Sequence, residues 1–335
     1  MSMPFFLLKM WYDKIMTSLE KSILATLAYY DVLDRPLTGW EIFRYLIRRC
    51  QGNLNSVLQS LETSPQLSKF IEQKNGFYFL KGREKIFKER ISRQKTADQK
   101  WKKARRLIKF LQIIPFIRLV AVSGSLAMNN PKPRSDIDLL VVAKTNRIWT
   151  CRGLTTLFVH LIGQRRHKKL TKDRLCLNHY LTDKFLKIPF KSLYNAQTYV
   201  HLVPMLDFGN STWKEFQKNN QWLKNYLAYY PQSANGYLLR IKPNRFLSFL
   251  REIPEFFLDR KLGNGLECFL RKIQEKRIRK DPLTYQSGGR VVFNSRQLEF
   301  HPNSPEKRVL EKYNAKMKDL GFNELAQEED SGLTI

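Results

Sequence analysis

Apolar positions along the chain change their period in a definite order, and the order predicts the elements. Over residues 18–33, Ile23, Leu24, Leu27, Ala28 and Tyr30 recur at helical spacing. Asp34-Arg-Pro-Leu interrupts that pattern, and Thr38 is placed to cap a second helix over residues 40–49. Gly52-Asn53 is another break, after which residues 55–61 predict a third, short helix. Residues 67–72 and 76–80 are strand-like and flank Lys74-Asn75-Gly76, whose Asn-Gly pair signals a hairpin. Residues 81–112 then predict one long helix, with a break expected near Thr96 and an apolar stripe of Trp101, Leu107, Ile108 and Leu111.

The pattern next turns to strands. Residues 117–122 are mostly apolar and β-branched, residues 136–142 are apolar after two acids, and a polar, turn-rich stretch joins them. Residues 146–162 return to helical spacing, Arg165-Arg-His-Lys-Lys169 is a basic turn, and residues 174–182 predict a further strand. From there helical spacing prevails: over 195–206, over 213–230, over 245–270 with an interruption at Pro254, and over 307–320. A turn into a short strand at 287–293 is the exception. Within 213–230, Asn220, Trp222 and Lys224 are candidates for a cleft wall, with ordinary core packing as the plainer reading of Trp222.

The chemistry concentrates in the polar stretch. Residues i and i+2 of a strand point to one face, roughly 6.5–7 Å apart, so Asp136 and Asp138 project together while Ile137 and Leu139 point away. Paired carboxylates suit hard divalent cations such as Mg2+, which often share substrate phosphates. Two such ions about 3.5–4 Å apart can hold the attacking and leaving oxygens of a phosphoryl displacement. Gly124 permits close approach of backbone to a phosphate, N–H groups of a short helix over 126–129 would face the anion, and the Ser123 and Ser125 hydroxyls can donate to it.

Gly124-Ser125, ten intervening residues, then Asp136-Ile-Asp138-Leu resembles the signature of the DNA polymerase β-like nucleotidyltransferase superfamily. The resemblance implies a mixed α/β core over 113–190, Asp136 and Asp138 as catalytic residues and ligands of Mg2+ (or Mn2+), an NTP as substrate held by Ser123, Gly124 and Ser125, and a helical domain after the core. In that superfamily the neighbouring strand usually carries a third carboxylate. Here strict alternation would put Cys176, Asn178 and Tyr180 on one face, so Asn178 takes the third position; an amide can hydrogen-bond there but cannot act as a base. Residues 217–224 are similar to a segment of bacterial-type nucleotidyltransferase-like proteins with a winged-helix front end, which implies no substrate.

The three helices and hairpin over 16–82 resemble a winged helix-turn-helix domain. Its third helix would enter a DNA major groove in such a role, yet residues 53–61 contain no Arg or Lys, although Arg44, Arg48 and Arg49 lie nearby. The expected organisation is therefore a lead at 1–15, the winged helix-like domain at 16–82, a basic linker helix at 83–112, the nucleotidyltransferase core at 113–190, a helical C-terminal domain at 191–325 and an acidic tail at 326–335.

Charge adds a partner. Lys and Arg number 59 against 30 Asp and Glu, a net +29, which favours polyanions such as nucleic acid or nucleotides. The linker helix and the Lys- and Arg-dense residues 271–280 are the candidate tracks for a triphosphate or an acceptor backbone; each also reads as a solvated helix face. The four cysteines are far apart and without a C-x-x-C pair, which suggests neither a zinc site nor a disulfide framework and fits a reducing cytosol. The apolar run at residues 4–8 lacks the flanks of a signal peptide and the length of a span, so a soluble cytoplasmic protein is expected, without a membrane partner. The sequence thus predicts a nucleotidyl transfer from an NTP to an acceptor hydroxyl. The rival is a catalytically degenerate nucleotide-binding regulator that uses its winged helix on DNA or a protein partner.

Overall fold

The computed structural model describes residues 16–47, 52–167, 170–209, 211–230, 239–322 and 326. The apolar run at 4–8, Arg48, Arg49 and almost all of the acidic tail lie outside these residues.

The N-terminal unit follows its local signals. Helix α1 (Ser18–Val32) opens on a capping box in which the Thr17 side chain accepts from Glu20 N and Glu20 answers to Thr17 N. Strand β1 (Leu37–Thr38) leads into α2 (Gly39–Arg44), which has a second capping box between Thr38 and Glu41, and α3 (Leu54–Thr63) is capped by Asn53. Strands β2 (Ile71–Lys74) and β3 (Phe77–Leu80) turn at Asn75-Gly76, where both residues have positive φ. The three strands form an antiparallel sheet in the order β1-β3-β2.

Helix α4 (Lys85–Phe110) runs unbroken through 26 residues, correcting the break expected at Thr96. Thr96 Oγ1 donates back to the Ser92 carbonyl, so the residue stays within the helix. Several of its cations are structural. Arg90 pairs with Glu41, Arg93 donates to the Leu33 carbonyl and to Asn130, and Lys100 is buried. Lys95, Lys102, Arg105, Arg106 and Lys109 remain exposed.

The central sheet has six strands: β4 (Ile117–Val122), β5 (Ile137–Ala143), β6 (Leu175–Thr182), β7 (Val203–Asp207), β8 (Arg290–Phe293) and β9 (Gln297–His301), in the order β7-β4-β5-β6-β9-β8. Only β5 and β6 run parallel; the other neighbours are antiparallel. Between them come α5 (Gly124–Ala127), α6 (Ile148–Leu161), α7 (Leu193–Val200), α8 (Thr212–Asn219), α9 (Arg245–Leu258) and α10 (Lys261–Lys280), and α11 (Glu306–Asp319) follows β9.

Three expectations from spacing change here. Residues 203–207, read as the end of a helix, form β7 and pair with β4; Val203-Pro-Met-Leu is as apolar as a buried strand, and period cannot separate the two for so short a run. The helix expected over 213–230 ends at Asn219, because Asn220 leaves helical geometry and binds the Leu186 carbonyl, the Ile188 N–H and Trp222 Nε1. Asn220 and Trp222 are thus core residues, not a cleft wall. The break placed at Pro254 falls instead at Asp259-Arg260, and Pro254 lies within α9.

Each face of the sheet carries a core. On one, Leu119, Ala121, Leu140, Val142 and Leu181 pack with α1, α7 and α11. On the other, Val120, Ile137, Leu139, Val141 and Tyr180 pack with α4 and α6. The N-terminal unit shares the first of these cores, and Tyr30 Oη lies 2.7 Å from both Gln197 Oε1 and His201 Nε2. The C-terminal part is equally joined: Glu267 of α10 accepts from Trp149 N and Thr150 N, capping α6 from another element.

Candidate active site

The loop after β4 is built around one glycine. Gly124 has φ +65, and a Cβ there would overlap Asp138 Oδ2 and stand 3.2 Å from its Cγ. The neighbouring Ser123 N–H donates to the Asp138 carbonyl at 2.9 Å, so backbone of one strand end is held against the carboxylate of the next. Ser123 is the N-cap residue of α5 but its hydroxyl makes no capping bond. The helix begins at Gly124, two residues before the start expected from the sequence.

Helix α4 fixes the far end of the loop. Trp101 Nε1 donates to Asn129 Oδ1, and buried Lys100 donates to the Ser135 carbonyl at 2.7 Å while pairing with Asp173. Lys100 therefore anchors the residue immediately before Asp136.

On β6 the register shifts. Asp138 pairs with Cys176 but Leu140 pairs with His179, so two residues of β6 stand opposite Leu139. This bulge breaks strict alternation. Cys176, Asn178 and His179 all reach the Asp138 side, whereas Tyr180, expected there, enters the opposite core. Asn178 lies on the Asp138 side, and its Nδ2 donates to Asp138 Oδ1 at 3.2 Å.

Ser123, Gly124, Asp136, Asp138 and Asn178 line one cavity of about 350 Å³ under α7. Ser125, one residue further into α5, is not among its lining residues. Burial, and next the Asp136 charge, push the Asp138 carboxyl up to about 7, against the opposing pull of Arg166. Arg166 Nε stands 3.0 Å from Asp136 Oδ2, and Arg166 Nη1 donates to Cys176 Sγ. The sequence identified Arg166 only as part of a basic turn.

The opposite wall was not legible as a site. It comes from β6, β8 and β9: His179, Glu299 and His301 place ligand atoms within 4.8 Å of one another. Glu299 accepts from Gln297 Nε2 at 2.8 Å and pairs with Arg290, which also pairs with Glu306. Burial, with Arg290 adding to it, brings His179 down to about 3, and burial brings His301 down to about 4, so both imidazoles are neutral at pH 7. The polar residues Gln297, Glu299 and His301 alternate with Leu298 and Phe300, a period of two that marks a half-buried strand. Tyr199 of α7 closes the cavity, its hydroxyl 3.4 Å from His179 Nδ1.

The two other acids near β6 have structural partners. Asp173 pairs with Lys100, and Asp183 accepts from Thr145 N and Oγ1.

The donor set fits a hard divalent cation. Two carboxylates converge, one of them pushed up by burial and by the charge of the other, and the nearby Cys176 thiol is pushed up by burial and stays neutral.

Among the described residues, no helix is long and apolar enough to cross a membrane. No curated protein and no solved structure matches the chain. The model of the nucleotidyltransferase domain family matches residues 102–228, a range that holds the C-terminal end of α4, the Gly124-Ser125 loop and both aspartates. With that match, the mixed sheet, and the Gly-Ser and Asp-x-Asp pairs at the ends of its adjoining strands, residues 102–228 are a nucleotidyltransferase domain, consistent with a DNA polymerase β-like nucleotidyltransferase superfamily member.

Proposed function

We propose that the protein transfers a nucleoside monophosphate from an NTP to an acceptor hydroxyl. The observation that carries this reading is the close contact between Gly124 and the Asp138 carboxylate, which sets side-chain-free backbone beside two converging acids at the cavity. Asp136 and Asp138 would hold Mg2+ or Mn2+, which when bound neutralises triphosphate charge and polarises the α-phosphoryl group. Ser123, the Gly124 backbone and Ser125 would take the β- and γ-phosphates. The acceptor oxygen forms a bond to the α-phosphorus, the bond from that phosphorus to the bridging α–β oxygen breaks, and pyrophosphate leaves.

The acceptor proton needs a base, which Asn178 cannot be. The neutral imidazoles of His179 and His301 and the Glu299 carboxylate are the proton-accepting groups that the cavity wall adds. Tyr194 and Tyr199 of α7 would cover the substrate and exclude water. The basic exposed face of α4 makes a nucleic-acid acceptor the reading most in keeping with the charge.

A specific observation also favours the regulator. Arg166 pairs with Asp136 and Asn178 donates to Asp138, so each acid has a partner within the protein. Incubation with each α-labelled NTP, Mg2+ or Mn2+, and cellular RNA, protein and small-molecule fractions separates the two. Label transferred to any fraction supports the transferase. Saturable, metal-dependent NTP binding without transfer in any fraction would leave the regulator, with its N-terminal unit as the DNA- or protein-binding part.

A further inference from the structure

A second cavity, of about 490 Å³, lies on the other face of the sheet, between α6, α10 and the β8–β9 hairpin. Three guanidiniums converge on it: Arg152 from α6, Arg165 from the turn that follows, and Arg277 from α10. None of the three forms an ion pair among the described residues. Arg152 bonds to the neutral side chain of Gln274 and lies over the Phe300 ring, 4.5 Å from its centroid, while its Nε is buried with no hydrogen-bond partner.

A buried donor without a partner is destabilising unless something occupies it, and like charges nearby add to the cost. Burial, with Arg165 and Arg277 adding to it, brings the Arg152 pKa down to about 10. Burial and Arg277 lower Arg165 as well. The one carboxylate among the lining residues, Asp281, is engaged in capping, its Oδ1 accepting from Leu283 N at 3.0 Å. The lining thus sets three cations against one carboxylate. Beside the cations the wall mixes polar groups, among them His160 and Gln274, with an apolar stretch of Leu270, Ile273 and Phe300.

We propose that this cavity binds a small phosphorylated ligand, its phosphate between Arg152, Arg165 and Arg277 and its less polar part against Leu270 and Phe300. Guanidinium forks match phosphate oxygens in pairs, and the volume is that of a site for a small organic molecule, larger than a bare phosphate needs. The site is distinct from the carboxylate cleft: Arg165 lines this cavity and its neighbour Arg166 lines the other.

The test uses the full chain in EDTA, so that no metal-bound nucleotide forms in the cleft, with AMP and inorganic pyrophosphate as calorimetric probes. One saturable site is expected, weakened about tenfold by Arg165→Gln and by Arg277→Gln, each the loss of a charge-assisted contact from a side chain outside the core. Arg152→Lys, which keeps the charge but removes the fork and the Nε donor, should weaken it as well. Gly124→Ala should leave it in place. Binding that is absent, or lost in Gly124→Ala and unchanged in the arginine variants, would overturn the proposal. So would tight binding of a ten-nucleotide single-stranded RNA through the same arginines that neither AMP nor pyrophosphate displaces, which would make the cavity part of a nucleic-acid track.

Discussion

The Gly124 Cα faces the Asp138 carboxylate with no room for a methyl group between them. With φ at +65 the position is also one that an L side chain adopts at a cost. Gly124→Ala is expected to lower stability by about 1–2 kcal/mol through backbone strain alone, and to abolish metal-dependent NTP binding by turning the carboxylate away. Chemical unfolding and nucleotide titration of the same preparation check both. A folded variant with unchanged NTP affinity would refute the placement of the phosphates.

Asp136→Asn and Asp138→Asn should each reduce transfer on the order of 10²–10³-fold, the scale for removing one group that stabilises transition-state charge. Both should fold. The Asp138 variant is expected to be the more stable near pH 8, because it removes a carboxylate that burial and Asp136 disfavour. Thermal melting and single-turnover assays, read together, test this; equal loss of stability and activity would indicate a merely structural role.

Arg166 holds Asp136 at 3.0 Å from a half-exposed position. Arg166→Gln should therefore tighten Mn2+ binding in the absence of nucleotide, by about two- to fivefold, the worth of such an ion pair. The titration is best made at pH 8, followed by the free Mn2+ resonance signal. Weaker Mn2+ binding in the variant would show that Arg166 supports the metal site and does not compete with the ion.

His179 and His201 are buried and held neutral, His179 down to about 3 and His201 well below its ordinary value, in both cases chiefly by burial. Below about pH 6.5, the ordinary value for histidine, the unfolded chain takes up a proton at each that the folded chain refuses. Stability from this source is full above that pH and declines as pH falls, by about 2 kcal/mol per histidine at pH 5. Asp138 works the other way, since its raised carboxyl takes up a proton first in the folded chain between about 7 and 4. Urea unfolding of Asp138→Asn at pH 7 and pH 5 isolates the histidines, and a midpoint that does not move would count against their being buried neutral.

Much of the first wall of the cleft was legible because its signals are local. Asn75-Gly76, the Thr38 cap, and the Gly124-Ser125 and Asp136-x-Asp138 pairs each act within a few residues. What the sequence concealed depends on contacts distant along the chain. The bulge opposite Leu139 is invisible to strict alternation, so His179 was missed and Tyr180 misplaced. β7 is hidden in the sequence because Val203-Pro-Met-Leu suits a buried helix end as well as a buried strand. Glu299 and His301 sit in a period-two run after a Gly-Gly turn, a readable strand whose pairing with His179 no local rule supplies. Lys100, one of many charges on α4, differs from the rest only in what lies above it.

The β8–β9 hairpin lies wholly beyond residue 228, where the family match ends. A chain trimmed at that boundary would leave the peptide groups of His179–Leu181 without their β9 partners, remove the Glu267 cap from α6, and strip Arg290, Glu299 and His301 from the cleft. The stretch that the family model matches is then shorter than the sheet to which it belongs. Any minimal version of this protein should keep residues 245–319, and a fragment cut to the domain's borders is expected to aggregate through an uncapped sheet edge.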